Sequence, residues 1–389
     1  MLFEDRERTR TEPLKRGESL WEFYDGCARS GYDEFRSIVN QWLAEMSDKD
    51  SQELISRMKY GGDREFGACL CELSVHAFLI KSGFKVAVHP DIAGTSKHPD
   101  FAALDDAGAV VAYVEVTTVN PPDAQEKEEN RENLIYNAID GVKLPPGCVL
   151  GYNLVRAGKS SPALKPLVAD IERWAKENAE AAKSAEVSKT FAAGEWLVEL
   201  ELFAGGKSTE PAPGAIGTAF LRGGMIEPHR DMREALEYKA KRYGDLNAPY
   251  VVVVADGKDQ LFNKDSIKSA LREAVLGDEI IQFRSGGRAH QTFARNGFWH
   301  GAAGARNRHV SGVVLLPDTE LWKLRNQNRQ PTLAVNPWAR HRLPESLRKL
   351  SRFEPDNDLW VFRDGELFAD ILKLPNPWPP EETGGAGTQ

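Results

Sequence analysis

A lone glutamate, Glu115, stands in the middle of the strongly β-prone stretch VVAYVEVTTV, residues 110–119. Side chains alternate along a strand, so Glu115 and Thr117 project from one face while Val114 and Val116 enter the other. A carboxylate among branched and aromatic neighbours is costly unless it is paired or liganded. The fold must therefore either bring Glu115 a partner or leave this strand at an edge with the carboxylate in water. The residues just upstream favour a partner. Asp100 follows His98 and Pro99 and opens a second short β-like run, Phe101 to Leu104. The polar Asp105-Asp106-Ala107-Gly108 between the two runs suits a hairpin turn, which can set Asp100 beside Glu115. Hard oxygen ligands gathered in this way suit Mg²⁺ or Mn²⁺, which take one or two carboxylates together with water and phosphate oxygens.

The preceding segment reads as a helix. Gly61-Gly62 is followed by Asp63 at an N-cap position, then by Phe66, Leu70, Leu73, Ala77 and Ile80 on one stripe, with Gly83 as the stop. Phe84 to Val88 forms another short strand, so one helix feeds a β-meander. Glu72 lies on this helix, with Glu65 two turns before it and His76 one turn after, and either could extend a site; His76 also fits ordinary helix packing.

These residues resemble the PD-(D/E)XK nuclease superfamily, in particular its branch with a helix glutamate ahead of the motif. Glu72, Pro99-Asp100 and Glu115-Val116-Thr117 match over about 55 residues, with Thr117 where the motif has lysine. The resemblance implies an α/β fold with a restriction endonuclease-like mixed central sheet flanked by helices. It also implies that Asp100 and Glu115, helped by Glu72, hold a divalent cation that generates the attacking hydroxide. The motif lysine of the superfamily positions the water and offsets transition-state charge. Thr117 can orient a water but carries no charge, so the lysine is expected from elsewhere. The candidates, in order, are Lys239, Lys241 and Lys97, since Lys239 lies four residues before Tyr243 on a helix leading into the apolar run Tyr250 to Ala255. His98 adjoins the motif and reads as a turn residue.

The chain of 389 residues carries a net charge of −8, which alone would argue against a nucleic-acid partner. The average hides an asymmetry. Between Arg284 and Arg352, thirteen Arg or Lys face only Asp318, Glu320 and Glu345, a local +10 that leaves −18 for the remainder. Eleven of the thirteen are Arg, the residue suited to bidentate phosphate contacts. Arg284, Arg288, Arg295, Arg306, Arg308, Arg340 and Arg342 are accordingly expected to hold a nucleic-acid backbone, with Phe293, Phe298, Trp299, Trp322 and Trp338 available to stack on bases.

The expected organisation is a charged arm (1 to about 20) and helical cap within residues 1–60, then a nuclease core over 61–258 with a helical and hairpin insertion at about 123–230. An Arg-rich C-terminal region over 259–374 and a disordered tail over 375–389 follow. Within these bounds, helices are expected at 32–58 (broken near 47–50), 124–140, 163–184 and 231–243, and further strands at 148–155, 196–203, 216–221, 310–316 and 359–362. No signal-peptide core or membrane-length apolar run is present, which places the chain in the cytoplasm. Cys27, Cys69, Cys71 and Cys148 show no zinc or disulfide spacing. Gly158-Lys159-Ser160 and Gly206-Lys207-Ser208 lack the first glycine of a phosphate-binding loop. The expected function is a Mg²⁺- or Mn²⁺-dependent endonuclease, acting on DNA more than RNA, in restriction, repair or anti-phage defence; cutting both strands would require two sites, from a homodimer or sequential nicking. The alternative is an inactive nuclease-fold module that only binds nucleic acid.

Overall fold

The computed structural model describes the chain except for Pro122, 205–215, 218–226, Asp245, 258–260, Phe262, 283–289, Thr319, 357–358 and 380–389. The chain forms two compact units. One comprises Met1–Glu12, Ser19–Asn120 and Ile226–Gln389; the other comprises Pro13–Glu18 and Pro121–Met225.

The larger unit begins with four helices, α1 (Leu20–Gly26), α2 (Tyr32–Ala44), α3 (Asp48–Tyr60) and α4 (Gly62–Lys81). The expected break between α2 and α3 falls where Ser47 caps α3, its hydroxyl accepting from the Asp50 amide. Asp63 is not the cap of α4, which starts at Gly62; its carboxylate accepts instead from the Leu20 amide at 2.8 Å and ties α1 to α4. Gly83, at φ +97°, ends that helix in a conformation that glycine adopts without steric cost. The meander follows as β1 (Lys85–Val88), β2 (Phe101–Leu104) and β3 (Val110–Val119). Its β2–β3 turn is closed by Asp105 Oδ1, which accepts from the Ala109 amide, and by Gly108 at φ +84°.

The smaller unit contributes α5 (Asp123–Asp140), β4 (Cys148–Arg156), α6 (Leu164–Ala182), β5 (Val187–Ala193), β6 (Trp196–Ala204) and β7 (Ile216–Gly217). β5, β6, β4 and β7 form a four-stranded sheet in that order. Trp196, Val198, Leu200 and Leu202, alternate residues of β6, are buried against Ile171 and Trp174 of α6. β5 was not expected from the sequence, because its register exposes three consecutive polar residues, Ser188, Lys189 and Thr190. Most of the expected strand at 216–221 lies outside the described residues.

The chain re-enters the larger unit with α7 (Pro228–Ala240), β8 (Tyr250–Asp256) and α8 (Lys264–Leu276). Two hairpins follow, β9 (Glu279–Gln282) with β10 (His290–Phe293) and β11 (His300–Gly301) with β12 (Gly304–Ala305), and then β13 (Gly312–Leu316), β14 (Thr332–Val335), β15 (Ser351–Asp356), β16 (Leu359–Arg363) and α9 (Phe368–Ile371). The main sheet runs β1-β2-β3-β8-β13-β14-β15-β16. Its centre is parallel, β3 to β8 and β8 to β13, whereas β14 pairs parallel with β15 and the remaining neighbours are antiparallel. The architecture is thus mixed α/β, a sheet flanked by helices on both faces.

β8 shows why both faces are covered. Val251, Val253 and Ala255 pack with α1 to α4 and α9, while Tyr250, Val252 and Val254 pack with α7 and α8. A strand buried on both sides reads as an unbroken apolar run, as YVVVVA does. α8, missed from the sequence, is held by a capping box at Asn263 and Ser266. No helix among the described residues is long and apolar enough to cross a membrane.

Three terminal and regional expectations are corrected. The first residues are not a loose arm: Leu2 and Phe3 are buried, and Asn40 accepts from both their amides and donates to the Phe3 carbonyl. The start of the tail is packed too, since Trp378 is buried, stacks on Trp322 and donates to the Leu321 carbonyl. The Arg-rich stretch does not stand apart, because β13 to β16 complete the main sheet.

Candidate active site

β3 pairs with β8 so that Glu115 lies opposite Val252 and Thr117 opposite Val254, which directs both toward the face covered by α7. Glu115 is fully buried, at 0% exposure. Its partners come from the end of α7 and the residues just after it. Lys239 Nζ donates to Glu115 Oε1 at 2.6 Å, and Arg242 Nη1 donates to the same oxygen at 2.8 Å. The Tyr243 hydroxyl donates to Oε2 and also lies 2.8 Å from the His98 carbonyl oxygen, so it spans the two segments that bear Asp100 and Glu115. Burial, followed by this hydrogen bond to the carboxylate, holds the Tyr243 phenol well above its ordinary range. α7 is fixed by Met232, Leu236 and Ala240, which it inserts into the core beneath. Lys239 is thereby presented to the strand, as expected from its position.

Asp100 stands one residue before β2. Its Oδ2 accepts from the Val116 amide at 2.6 Å, which keys it to the strand carrying Glu115. Asp100 precedes the strand and is reached from both sides of the sheet, since it feels the charges of Glu115 and Lys239 and also lines a narrow cleft with Arg57 and Glu72. Burial first, and then the negative charge of Glu115, push the Asp100 carboxyl up to about 7. Its other oxygen, Oδ1, makes no hydrogen bond among the described residues.

Glu72 does not join them as expected. α4 packs on the opposite face, with Val114 and Val116. Both Glu72 oxygens are taken by Arg57, whose Nη1 and Nη2 donate at 2.7 and 2.6 Å, while Arg57 Nε donates to Glu65. Glu72 and Asp100 line a common narrow cleft, yet the three carboxylates are not drawn within 4.8 Å of one another. Glu65 is therefore a partner of Arg57. His76 is buried against Phe101, with burial lowering its basicity and no hydrogen-bond partner for Nδ1 among the described residues. The Thr117 hydroxyl makes no hydrogen bond to either carboxylate among the described residues. His98 closes a local turn, its Nδ1 lying 3.3 Å from the Pro90 carbonyl oxygen.

Of the two carboxylates, Asp100 keeps an unengaged oxygen that suits a hard cation, whereas both oxygens of Glu115 are engaged by Lys239, Arg242 and Tyr243, so Glu115 would have to exchange one of these partners to serve as a ligand. Glu72, neutralised by Arg57, does not fit as a ligand. Among the described residues, the one group of three ligand-type side chains within 4.8 Å is His229, Glu273 and Asp278. Arg233 already donates to Asp278 at 2.8 Å and Asn296 donates to its other oxygen, so this cluster ties α7 to the end of α8.

The basic stretch is redistributed by folding. Arg284 and Arg288 lie outside the described residues. Arg295, Arg306, Arg308, Arg340 and Arg342 are exposed, although Arg306 pairs with Glu237. Arg325, Arg329, Arg348 and Arg352 are paired with Asp370, Asp318, Glu345 and Glu354. The +10 of the sequence is therefore not one open surface. Phe298 and Trp299 are core residues at 0% exposure, and Trp322 is stacked on Phe35 and Trp378. Trp338 is half-buried against His300 and Phe293 is half-buried as well, so none of the five offers a free platform.

A cationic basin does exist, on the outer face of α7. It measures about 940 Å³ and is lined by Lys97, Arg230, Arg233, Lys241 and Arg242, with Glu234, Glu237 and Tyr238. Arg242 belongs both to the basin and to the shell around Glu115. The roles of Arg242 and Tyr243 were missed in the sequence, although the run Lys239-Ala240-Lys241-Arg242-Tyr243 carries the signal. Helical spacing sets 239 and 243 on one side, and the strand carboxylate requires a cation. No family model, no curated protein and no solved structure matches this chain.

Proposed function

We propose that the protein is a divalent-metal-dependent nuclease, built on a restriction endonuclease-like core, that hydrolyses phosphodiester bonds of DNA. The observation that carries this reading is the 2.6 Å contact from Lys239 Nζ to Glu115 Oε1. It sets a lysine from a neighbouring helix against the strand carboxylate whose own strand has threonine at the usual lysine position. Asp100 and Glu115 would hold Mg²⁺ or Mn²⁺, and the cation would supply hydroxide at neutral pH and neutralise phosphate charge. Lys239 and Arg242 place two positive charges beside the carboxylates, where they would offset charge developing on the phosphate. Tyr243 holds the Asp100 segment against Glu115. Glu72, locked to Arg57, would act as a structural anion of α4.

One observation favours the second reading, a nucleic-acid-binding module without turnover: Glu115 is wholly buried and engaged at both oxygens. Incubation of plasmid and short duplex or single-stranded DNA with Mg²⁺ or Mn²⁺ separates the two. Cutting that is lost in Asp100→Ala supports the nuclease. Binding with steep salt dependence and no cutting by the wild type supports the module.

A further inference from the structure

We infer that the basin on the outer face of α7 is a binding site for single-stranded nucleic acid, with Tyr238 as the platform for an unpaired base beside the Asp100–Glu115 site. The inference rests on the nucleic-acid reading of that site and specifies the strand form.

Residues 230, 233, 234, 237, 238, 241 and 242 recur at spacings of three and four and so form one stripe on α7, turned away from the core residues Met232, Leu236 and Ala240. The stripe is cationic at both ends, Arg230 and Arg233 at one and Lys241 with Arg242 at the other, and Lys97 joins from the loop before Asp100. Five cations face Glu234 and Glu237 in the lining; Arg230, Arg233 and Arg242 are paired with Glu227, Asp278 and Glu115, which leaves Lys97 and Lys241 as its cations without a salt bridge among the described residues. Glu237 is further occupied by Arg306 and Asn307. A phosphodiester backbone fits this charge, whereas an acidic small molecule would have no use for its length.

Tyr238 decides the strand form. It is 72% exposed on this stripe, next to Lys239, and with Tyr60 is a large aromatic side chain left in water among the described residues. An exposed ring between cations stacks on a base whose face is free, and a duplex keeps base faces stacked inside. Arg242 lines the basin and also donates to Glu115, so a backbone laid along the stripe would contact a residue of the shell around that carboxylate.

The test measures fluorescence anisotropy of a labelled oligothymidylate of about 12 nucleotides and of a duplex of matching length, binding to the full chain in EDTA, so that nothing is cut. Base stacking on an aromatic ring is lost with its removal, so Tyr238→Ala should weaken single-strand binding by about ten-fold, while Tyr238→Phe stays within about two-fold of wild type. Lys241→Glu should weaken binding and flatten its salt dependence. The exposed position of Tyr238 predicts an unchanged thermal melt for both of its variants. Duplex bound more tightly than single strand, or Tyr238→Ala binding the single strand as wild type does, would overturn the inference, as would the absence of single-strand binding. Mg²⁺-dependent cutting with any of these results would leave the nuclease reading standing. Tyr238-dependent binding with no cutting under any metal would do the reverse.

Discussion

Lys239 and Glu115 are 124 residues apart in the chain and 2.6 Å apart in the fold. The helix side chain thus neutralises a carboxylate that its own strand leaves without a cation. Glu115 has no access to water, so the contact bears on stability as well as on chemistry. Replacing Lys239 with Met should destabilise the protein by about 2–3 kcal/mol, less than full loss of a buried pair because Arg242 remains. Urea unfolding of Lys239→Met, Glu115→Gln and the double variant measures this. The double variant should be more stable than the sum of the single effects implies, because Glu115→Gln removes the charge that Lys239→Met leaves unpaired.

Asp100 makes stability depend on pH. Its carboxyl is raised from 3.8 to about 7, chiefly by burial and then by Glu115. The folded state therefore binds the proton more tightly than the unfolded state, and the stability from this group, complete below about pH 4, is lost as pH rises toward 7. In EDTA, urea midpoints should fall across that window, and Asp100→Asn should flatten the fall. A midpoint that rises from pH 5 to pH 7 in the wild type, and equally in Asp100→Asn, would contradict the assignment.

Glu72 is assigned to Arg57 and not to a cation. Glu72→Gln should leave Mn²⁺ affinity within about three-fold of wild type, whereas Asp100→Ala should reduce it at least ten-fold, because removing a ligand costs more than changing an outer residue. Arg57→Ala should destabilise by about 2 kcal/mol by leaving two carboxylates without their shared donor. Isothermal titration with Mn²⁺ and urea unfolding read the two effects separately.

The first residues are part of the core. Removing Leu2 and Phe3 should cost about 3 kcal/mol, since burial of each such side chain contributes about 1.5–3 kcal/mol. Asn40→Ala should reproduce part of the loss, because three hydrogen bonds end on that side chain. Thermal melts of the truncated and substituted chains give the comparison.

How much of this was legible in the sequence depended on the range of the interaction. The meander, α7 and β8 follow from local patterns, because period-2 and period-3.6 burial is written within each segment. The need of Glu115 for a partner was visible from its flanks, and Lys239 from its spacing to Tyr243. The failure at Glu72 has a definite cause. Helical spacing places a carboxylate on a stripe of α4 but does not say which face of the sheet that stripe will cover. The arginine segment misled for a related reason, since a local sum of charge omits acids that folding brings in, as Asp370 reaches Arg325 and Glu237 reaches Arg306. Leu2 and Phe3 are too short a run to show any period, and the Arg242–Tyr243 end of α7 looks like a solvated helix terminus until the strand is laid against it.

The central claim is that Lys239 takes the place of the lysine missing at position 117, beside Asp100 and Glu115. The most direct measurement is the single-turnover rate of Mn²⁺-dependent DNA cleavage by wild type, Lys239→Met, and Lys239→Met combined with Thr117→Lys. The account predicts a loss of at least about 100-fold in Lys239→Met, the scale of removing one transition-state charge donor, and at least about ten-fold recovery when the lysine is returned to the strand. Cleavage by Lys239→Met at the wild-type rate would contradict it.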